Sequence, residues 1–152
     1  MIFATVGTHH QPFDRLVRIA LGLAGDAQLV VQHGHTGRVA AGPAVQWHRW
    51  LSPAEMTALM RAADVVITHA GVASIVDAVR AGHRPIVVPR RQHLGEHVDD
   101  HQLQIVAALE ERGIVTRLHN AADSAPGALD VPVAGWPPPG LKAALRETVL
   151  GR

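Results

Sequence analysis

The sequence predicts a single α/β domain built on a mostly parallel sheet. Three observations carry that expectation. Short β-rich apolar runs recur along the chain with helix-patterned stretches between them, which is the signature of βαβ units. Two of those runs, at 65–67 and 86–88, are apolar throughout rather than alternating, as strands covered on both faces must be. The length of 152 residues falls within the roughly 100–200 residues of one ordinary domain.

The elements follow in order. Residues 2–6 form a β-rich run that stops at Gly7-Thr8. From 12 to 24, Phe13, Leu16, Val17, Ile19, Ala20 and Leu23 recur near the 3.6-residue period of a helix. A second strand at 29–31 ends in His33-Gly34-His35-Thr36-Gly37, and 45–50 alternates as a partly covered strand does. Ser52-Pro53 supplies an N-cap with proline at the first helical position, and Glu55 completes a capping box, so a helix runs to about residue 62. Strand 65–68 follows, then a helix starting near Ser74 and closed by Gly82. Residues 85–89 make another buried strand. The longest helical pattern covers 98–112, with Asp99 and Asp100 as first-turn acids and Gly113 as its stop, before a last strand at 114–118. Trp136-Pro137-Pro138-Pro139-Gly140 reads as an extended connector and 141–150 as a closing helix, so the core is about 1–118 and the remainder an appendage. Of the scarce aromatics, Trp47 suits the core, and Trp50 and Trp136 suit core or interface.

Composition excludes several classes of function. Formal charge is +1, from 14 basic and 13 acidic residues, which gives no field for nucleic acid. There is no Cys, so disulfides, thiolate metal sites and cysteine nucleophiles are absent. No apolar run approaches the roughly 18 residues of a membrane span, and the start lacks the basic region of a signal peptide; a soluble cytoplasmic domain is the expectation. Lys142 is the only lysine, so a phosphate loop of the Walker type cannot exist.

Polar and glycine residues gather in the loops beyond the carboxyl ends of the strands, where open parallel sheets bind ligands. These are Gly7-Thr8-His9-His10, 33–37, His69-Ala70-Gly71, and 90–102. The sharpest is Thr68-His69-Ala70-Gly71-x-x-Ser74-x-x-Asp77-Ala78. A strand ends there, Gly71 allows close backbone approach, and the free N–H groups of the following helix suit a phosphate. Asp77, one turn in, suits a ribose diol. The plainer alternative is that Ser74 caps the helix and Asp77 completes an approximate capping box.

That stretch, followed by Ala81-Gly82-x-x-Pro85-Ile86-Val87-Val88-Pro89 and Asp100-His101-Gln102, resembles the C-terminal, nucleotide-sugar-binding domain of glycosyltransferase family 28. The opening Val6-Gly7-Thr8 and Gln11-Pro12-Phe13-Asp14-Arg15-Leu16 are similar to its one-domain members. Those are the catalytic subunit of the two-subunit dolichol-linked UDP-GlcNAc transferase and bacterial exopolysaccharide glycosyltransferase subunits. The resemblance implies a Rossmann-like domain equivalent to the C-terminal half of a GT-B glycosyltransferase. It also implies an inverting, metal-independent transfer from a UDP-sugar to a lipid-linked or polysaccharide acceptor. A membrane-associated acceptor-domain subunit would act as partner, with the chain at the inner face of the membrane.

By the same resemblance, Gly7 and Thr8 face the donor diphosphate, and His69, Ala70, Gly71 and Ser74 surround it. Asp77, where the family usually has Glu, holds the ribose directly or through water. Asp100, His101 and Gln102 face the sugar or phosphates, and Arg90 or Arg91 stabilises the leaving diphosphate. His9 and His10 are the candidates for the general base. No cofactor and no metal are implied beyond the donor itself. Two alternatives stand beside this reading. One is a non-catalytic nucleotide-binding module of the same fold. The other is a zinc hydrolase using His93 and His97, whose His93-x-x-Glu96-His97 spacing matches an inverted zinc motif but needs a helix that Gly95 opposes. His33-Gly34-His35 reads as a loop rather than a ligand pair.

Overall fold

Residues 1–118 are described by the computed structural model. Strands β1 (Ile2–Thr5), β2 (Leu29–Gln32), β3 (Val45–His48), β4 (Val65–His69), β5 (Ile86–Val88) and β6 (Thr116–Arg117) alternate with helices α1 (Asp14–Ala24), α2 (Pro53–Ala62), α3 (Val72–Arg80) and α4 (His101–Glu111). A 3-10 turn at Gln92–Leu94 interrupts the connection from β5 to α4. All strand pairs are parallel. The order β3-β2-β1-β4-β5-β6 is that of a doubly wound sheet, which reverses direction between β1 and β4.

The two-residue period of the strands divides the core. Ile2 and Ala4 of β1, with Leu29, Val31 and Ile67, pack against Leu16, Ile19 and Ala20 of α1. Phe3, Val30 and Val66 point the other way, onto Met60 of α2 and Ala78 of α3. Val87 joins Ile75, Val79, Val106 and Leu109 of α3 and α4 on that same side. Helices on both faces explain why the strands read as unbroken apolar runs. Trp47 on the edge strand is half-buried against the α1-side cluster, as its sequence context suggests.

The capping box is formed as expected. Ser52 Oγ accepts the Glu55 N–H at 3.2 Å, and Glu55 Oε2 accepts the Ser52 N–H at 2.7 Å. Two helix starts differ from expectation. Helix α3 begins at Val72, because Gly71 takes the extended N-cap conformation and Ile75 N–H already bonds to Gly71 O. Ser74 is therefore inside the helix and not its cap, and the approximate capping box with Asp77 does not form. Helix α4 starts at His101 rather than 98, because Asp99 Oδ1 accepts the His101 N–H and Asp100 Oδ1 accepts the Gln92 N–H. Both acids shape the turn before the helix instead of occupying its first turn. The connector at 136–140 and the helix expected over 141–150 lie outside the described residues. Among the described residues no helix is long and apolar enough to cross a membrane.

Removing the cap should be felt. Ser52→Ala is expected to cost about 1 kcal/mol, read as a lower denaturant midpoint with an unchanged m-value.

Candidate functional site

Six parallel strands bring their carboxyl ends to one edge, and the loops that follow enclose a cleft of about 460 Å³. Its floor starts with two buried polar residues in register across β1 and β2. Thr5 Oγ1 donates to Gln32 Oε1 at 2.6 Å and accepts the Gly7 N–H at 3.2 Å. Gln32 Nε2 donates to Gly7 O and Arg49 O at 3.3 and 3.0 Å. Both peptide groups of Gly7 are thus held, and its left-handed φ of 77° favours the residue without a side chain.

The pinned turn exists to accommodate His69, at the end of β4. The α-carbons of Gly7 and Gly71 flank the imidazole so closely that a Cβ on either would overlap the ring, at Nε2 and Cε1 respectively. His69 Nδ1 accepts the Gly71 N–H at 3.1 Å, and Nε2 lies 3.2 Å from Ser74 Oγ. A backbone N–H can meet only an unprotonated nitrogen, so the ring carries its hydrogen on Nε2. Burial, reinforced by the charges of Arg90, His9 and His97, pushes the His69 pKa down to about 4.

The same local contact recurs twice around the cleft. His9 Nδ1 accepts the Gln11 N–H at 3.2 Å, and His97 Nδ1 accepts the Asp99 N–H at 3.3 Å. Each ring is left with Nε2 as its N–H donor. The rings form a column, His10 stacked on His9 at 4.6 Å and His9 tilted by 33° against His97 at 4.8 Å between centroids. Burial, followed by Arg90, His97 and His10, also lowers the pKa of His9.

Arg90 lies under this column and is only 1% exposed. Its guanidinium donates to Gln11 O at 2.8 Å, Glu96 O at 2.9 Å and Val6 O at 3.0 Å, and sits 4.5 Å from the Phe13 ring centroid. Burial lowers its pKa to about 10 against the opposing influence of Glu96, so it stays cationic at neutral pH. The Glu96 carboxylate itself is taken by Arg15, at 2.8 Å, and by the Arg91 N–H, at 2.9 Å.

The lining is therefore rich in donors. Val72 and Ala73 contribute the first turn of α3, ahead of its first intrahelical hydrogen bond, beside Ser74, His9, His97 and the buried cation. Among the described residues no carboxylate lines the cleft. Helix N-termini with such surroundings favour anions. Toward the β2–β3 side the lining changes to Trp50, Leu51 and Met56, and Trp50 is 46% exposed. A larger concavity of about 600 Å³ lies beside α1, lined by Arg15, Arg18, Leu94 and Glu96 among others; its buried ion pair belongs to the loop scaffold just described.

Of the residues expected from sequence, Gly7, Thr8, His9, His69, Gly71, Ser74, Arg90 and Gln102 line the cleft. Ala70 is buried beneath it. His10, Asp77, Asp100 and His101 are exposed and outside its lining. Arg90 differs in role, since three backbone carbonyls occupy its guanidinium and its charge acts on the cleft through space. Thr5, Gln32, Trp50 and His97 were missed as cleft residues. A lone glutamine closing an apolar strand was the available signal for Gln32. The zinc spacing is not realised on a helix: His93 sits in the 3-10 turn and Gly95 is left-handed, at φ 69°. Among the described residues no three His, Asp or Glu are grouped to hold a metal.

The sequence matches the model of the glycosyltransferase family 28 C-terminal domain over residues 1–121. No curated protein matches it. Among solved structures, the chain is similar to the glycotransferase of kitacinnamycin, with 22% identity and a TM-score of 0.59 over 97% of this chain and 37% of that one. It is also similar to the glycosyltransferase SnogD from Streptomyces nogalater, with 21% identity and a TM-score of 0.60 over 99% of this chain and 37% of that one. These likenesses establish a shared fold, and this chain spans little more than a third of the length of either structure.

Two outcomes follow from the imidazole clamp. Gly71→Ala should cost about 1–3 kcal/mol in chemical denaturation, since the new methyl group must displace the His69 ring. Folding also holds His69 unprotonated down to about pH 4, against an ordinary value of 6.5. Between those values the unfolded state binds more protons, so stability is expected to fall as pH drops from about 6.5 toward 4. His69→Asn, whose Oδ1 can still accept the Gly71 N–H, should make that decline shallower; an equal slope in both proteins would contradict the assignment.

Proposed function

The chain belongs to the glycosyltransferase family 28 C-terminal domain family, and from that premise we propose that it is the donor-binding, catalytic subunit of an inverting, metal-independent UDP-sugar glycosyltransferase. The acceptor, lipid-linked or polysaccharide, is brought by a membrane-associated acceptor-domain partner, with the chain on the cytoplasmic face. The observation that carries the reading is the donor-rich, carboxylate-free cleft at the reversal point of the sheet.

In this reading the diphosphate lies against the first turn of α3, between Ser74 and the Gly7–Thr8 turn. The base and ribose rest on the apolar side against Trp50, Leu51 and Met56, and the sugar faces Gln102. Asp77 reaches the ribose only through water, because it lies outside the lining. The acceptor hydroxyl attacks the anomeric carbon from the face opposite the diphosphate. The bond to the leaving phosphate oxygen breaks through an oxocarbenium-like state, and negative charge grows on UDP. The α3 N–H groups, the Ser74 hydroxyl, the Nε2–H groups of His9 and His97 and the field of Arg90 meet that charge without rearranging, which is the main source of acceleration in such sites. In this scheme these donors, rather than a divalent ion, meet the charge.

His9 serves here as a donor, since its Nδ1 is already occupied by Gln11. His10, exposed at the outer end of the column, is the imidazole of the pair better placed to take the acceptor proton. A positioned base of this kind contributes about 10²–10⁴-fold.

The test is a thermal-shift panel with UDP, GDP and ADP, each with and without EDTA, followed by turnover with an acceptor domain. UDP at about 100 times its Kd should add about 2.7 kcal/mol of stability, more than GDP or ADP at equal concentration and unchanged by EDTA. UDP release from a UDP-sugar should then depend on the acceptor domain. Equal shifts for all three nucleotides would overturn the UDP assignment, and binding without release in any pairing would make the chain a nucleotide-binding module.

A further inference from the structure

We propose that the buried ion pair between Arg15 and Glu96 is a latch that holds His97 in the cleft, which makes both members positioning residues for the bound donor. The proposal rests on reading the cleft as a donor site. Neither member lines that cleft; both border the separate concavity beside α1.

The loop between β5 and α4 is fastened in an uncommon way. Over the described residues 91–100, Gln92, His93, Leu94, Gly95, Val98 and Asp100 are exposed, and Glu96 alone is buried. A carboxylate is among the side chains least often buried, and then it is paired. Arg15 of α1 meets this one through two hydrogen bonds, Nε to Oε1 at 3.0 Å and Nη2 to Oε2 at 2.8 Å. The Arg91 N–H adds a third at 2.9 Å. Arg15 Nη2 also donates to Pro89 O, so the clasp closes on the start of the loop as well as its middle.

Its effect is felt at the next peptide. Glu96 O accepts Arg90 Nη1 at 2.9 Å, so the residue is gripped at its side chain by one arginine and at its carbonyl by another. The peptide unit is planar, and fixing the Glu96 carbonyl fixes the direction in which the chain continues into His97. That ring enters the cleft lining and meets His9 at 4.8 Å. Its Nδ1 accepts the Asp99 N–H at 3.3 Å, which leaves Nε2 as its donor toward a ligand. Gly95, left-handed at φ 69°, has no side chain with which to hold the turn.

Stability alone is a poor reason for such a pair. Desolvation takes back most of the attraction, and packed apolar residues of similar volume usually serve as well. What the pair adds is direction, because two parallel N–H···O bonds fix an angle as well as a distance. The latch therefore governs where His97 points.

Replacing both members together, Arg15→Met with Glu96→Leu, removes the latch without stranding a charge. This double variant should keep a denaturant midpoint close to wild type, yet bind UDP about tenfold more weakly, the loss of one hydrogen bond to a charged group. His97→Ala should show the same loss, and adding it to the double variant should weaken binding no further. NMR spectra of the imidazole nitrogens, taken above neutral pH, should show His97 as the Nε2–H tautomer in the unaltered chain and as a tautomer mixture in the latch variant. UDP affinity at the wild-type level in the latch variant would overturn the proposal. So would losses that multiply to about a hundredfold when His97→Ala is added. Should the double variant fail to fold, Arg15→Lys, which keeps the charge but not the forked contact, is put through the same cycle with the same expected dependence on His97. An unaltered chain that does not bind UDP would remove the donor-site reading and the proposal with it. Normal UDP binding by the unaltered chain, with a His97 spectrum unmoved in the latch variant, would overturn the proposal alone.

Discussion

The site depends first on a buried guanidinium. Arg90 follows β5, yet two of its three carbonyl partners, Val6 and Gln11, lie in the loop after β1. The sheet places β4 between those strands, so the side chain spans the position at which His69 emerges. Taking a guanidinium out of water costs several kcal/mol unless its hydrogens are met. Here three carbonyls, an aromatic face and the neighbouring Glu96 offset part of that cost, while the buried Nε–H has no partner among the described residues. The consequence is geometric: the loop carrying His9 and the loop carrying His97 are tied to one another through Glu96 and Arg90, and their imidazoles meet in a tilted contact across the junction.

The electrostatic consequence is equally direct. Burial first, and the neighbouring Arg90 cation after it, push the pKa values of His69 and His9 down. Arg90 and the α3 terminus make the cleft positive. His69, His9 and His97 each use Nδ1 to accept the backbone N–H two residues on, which orients Nε2 as the remaining donor. The anionic group that such a lining favours meets oriented dipoles and one permanent charge.

Much of the fold was legible in the sequence because it rests on local rules. Unbroken apolar runs at 65–67 and 86–88 can only be central strands of a covered sheet. Ser52, Pro53 and Glu55 encode a helix start within four residues. Helix boundaries were misplaced where a side chain from outside the helix took over, as at Gly71, whose N–H is claimed by His69, and at Asp99 and Asp100, whose carboxylates are drawn to the turn. The site was legible in part for the same reason. Gly7, His69, Gly71 and Ser74 stand in recognisable loops, whereas Gln32, Trp50 and His97 join them only through the packing of distant strands.

The alternation of strands with helices and the capping signals, read along the chain, therefore determined the parallel α/β domain, the edge of the sheet where the cleft opens, and the stretch 68–78 as part of its wall. What the tertiary structure decided was the role of each group. Gly7 and Gly71 prove to be spaces for a ring, Arg90 a tie between loops, and Asp77 a surface residue. Sequence spacing governs contacts within a turn or two, but a hydrogen bond's direction and a charge's burial are set by neighbours from other strands. Those neighbours are defined only once the sheet has ordered β1, β4 and β5 side by side.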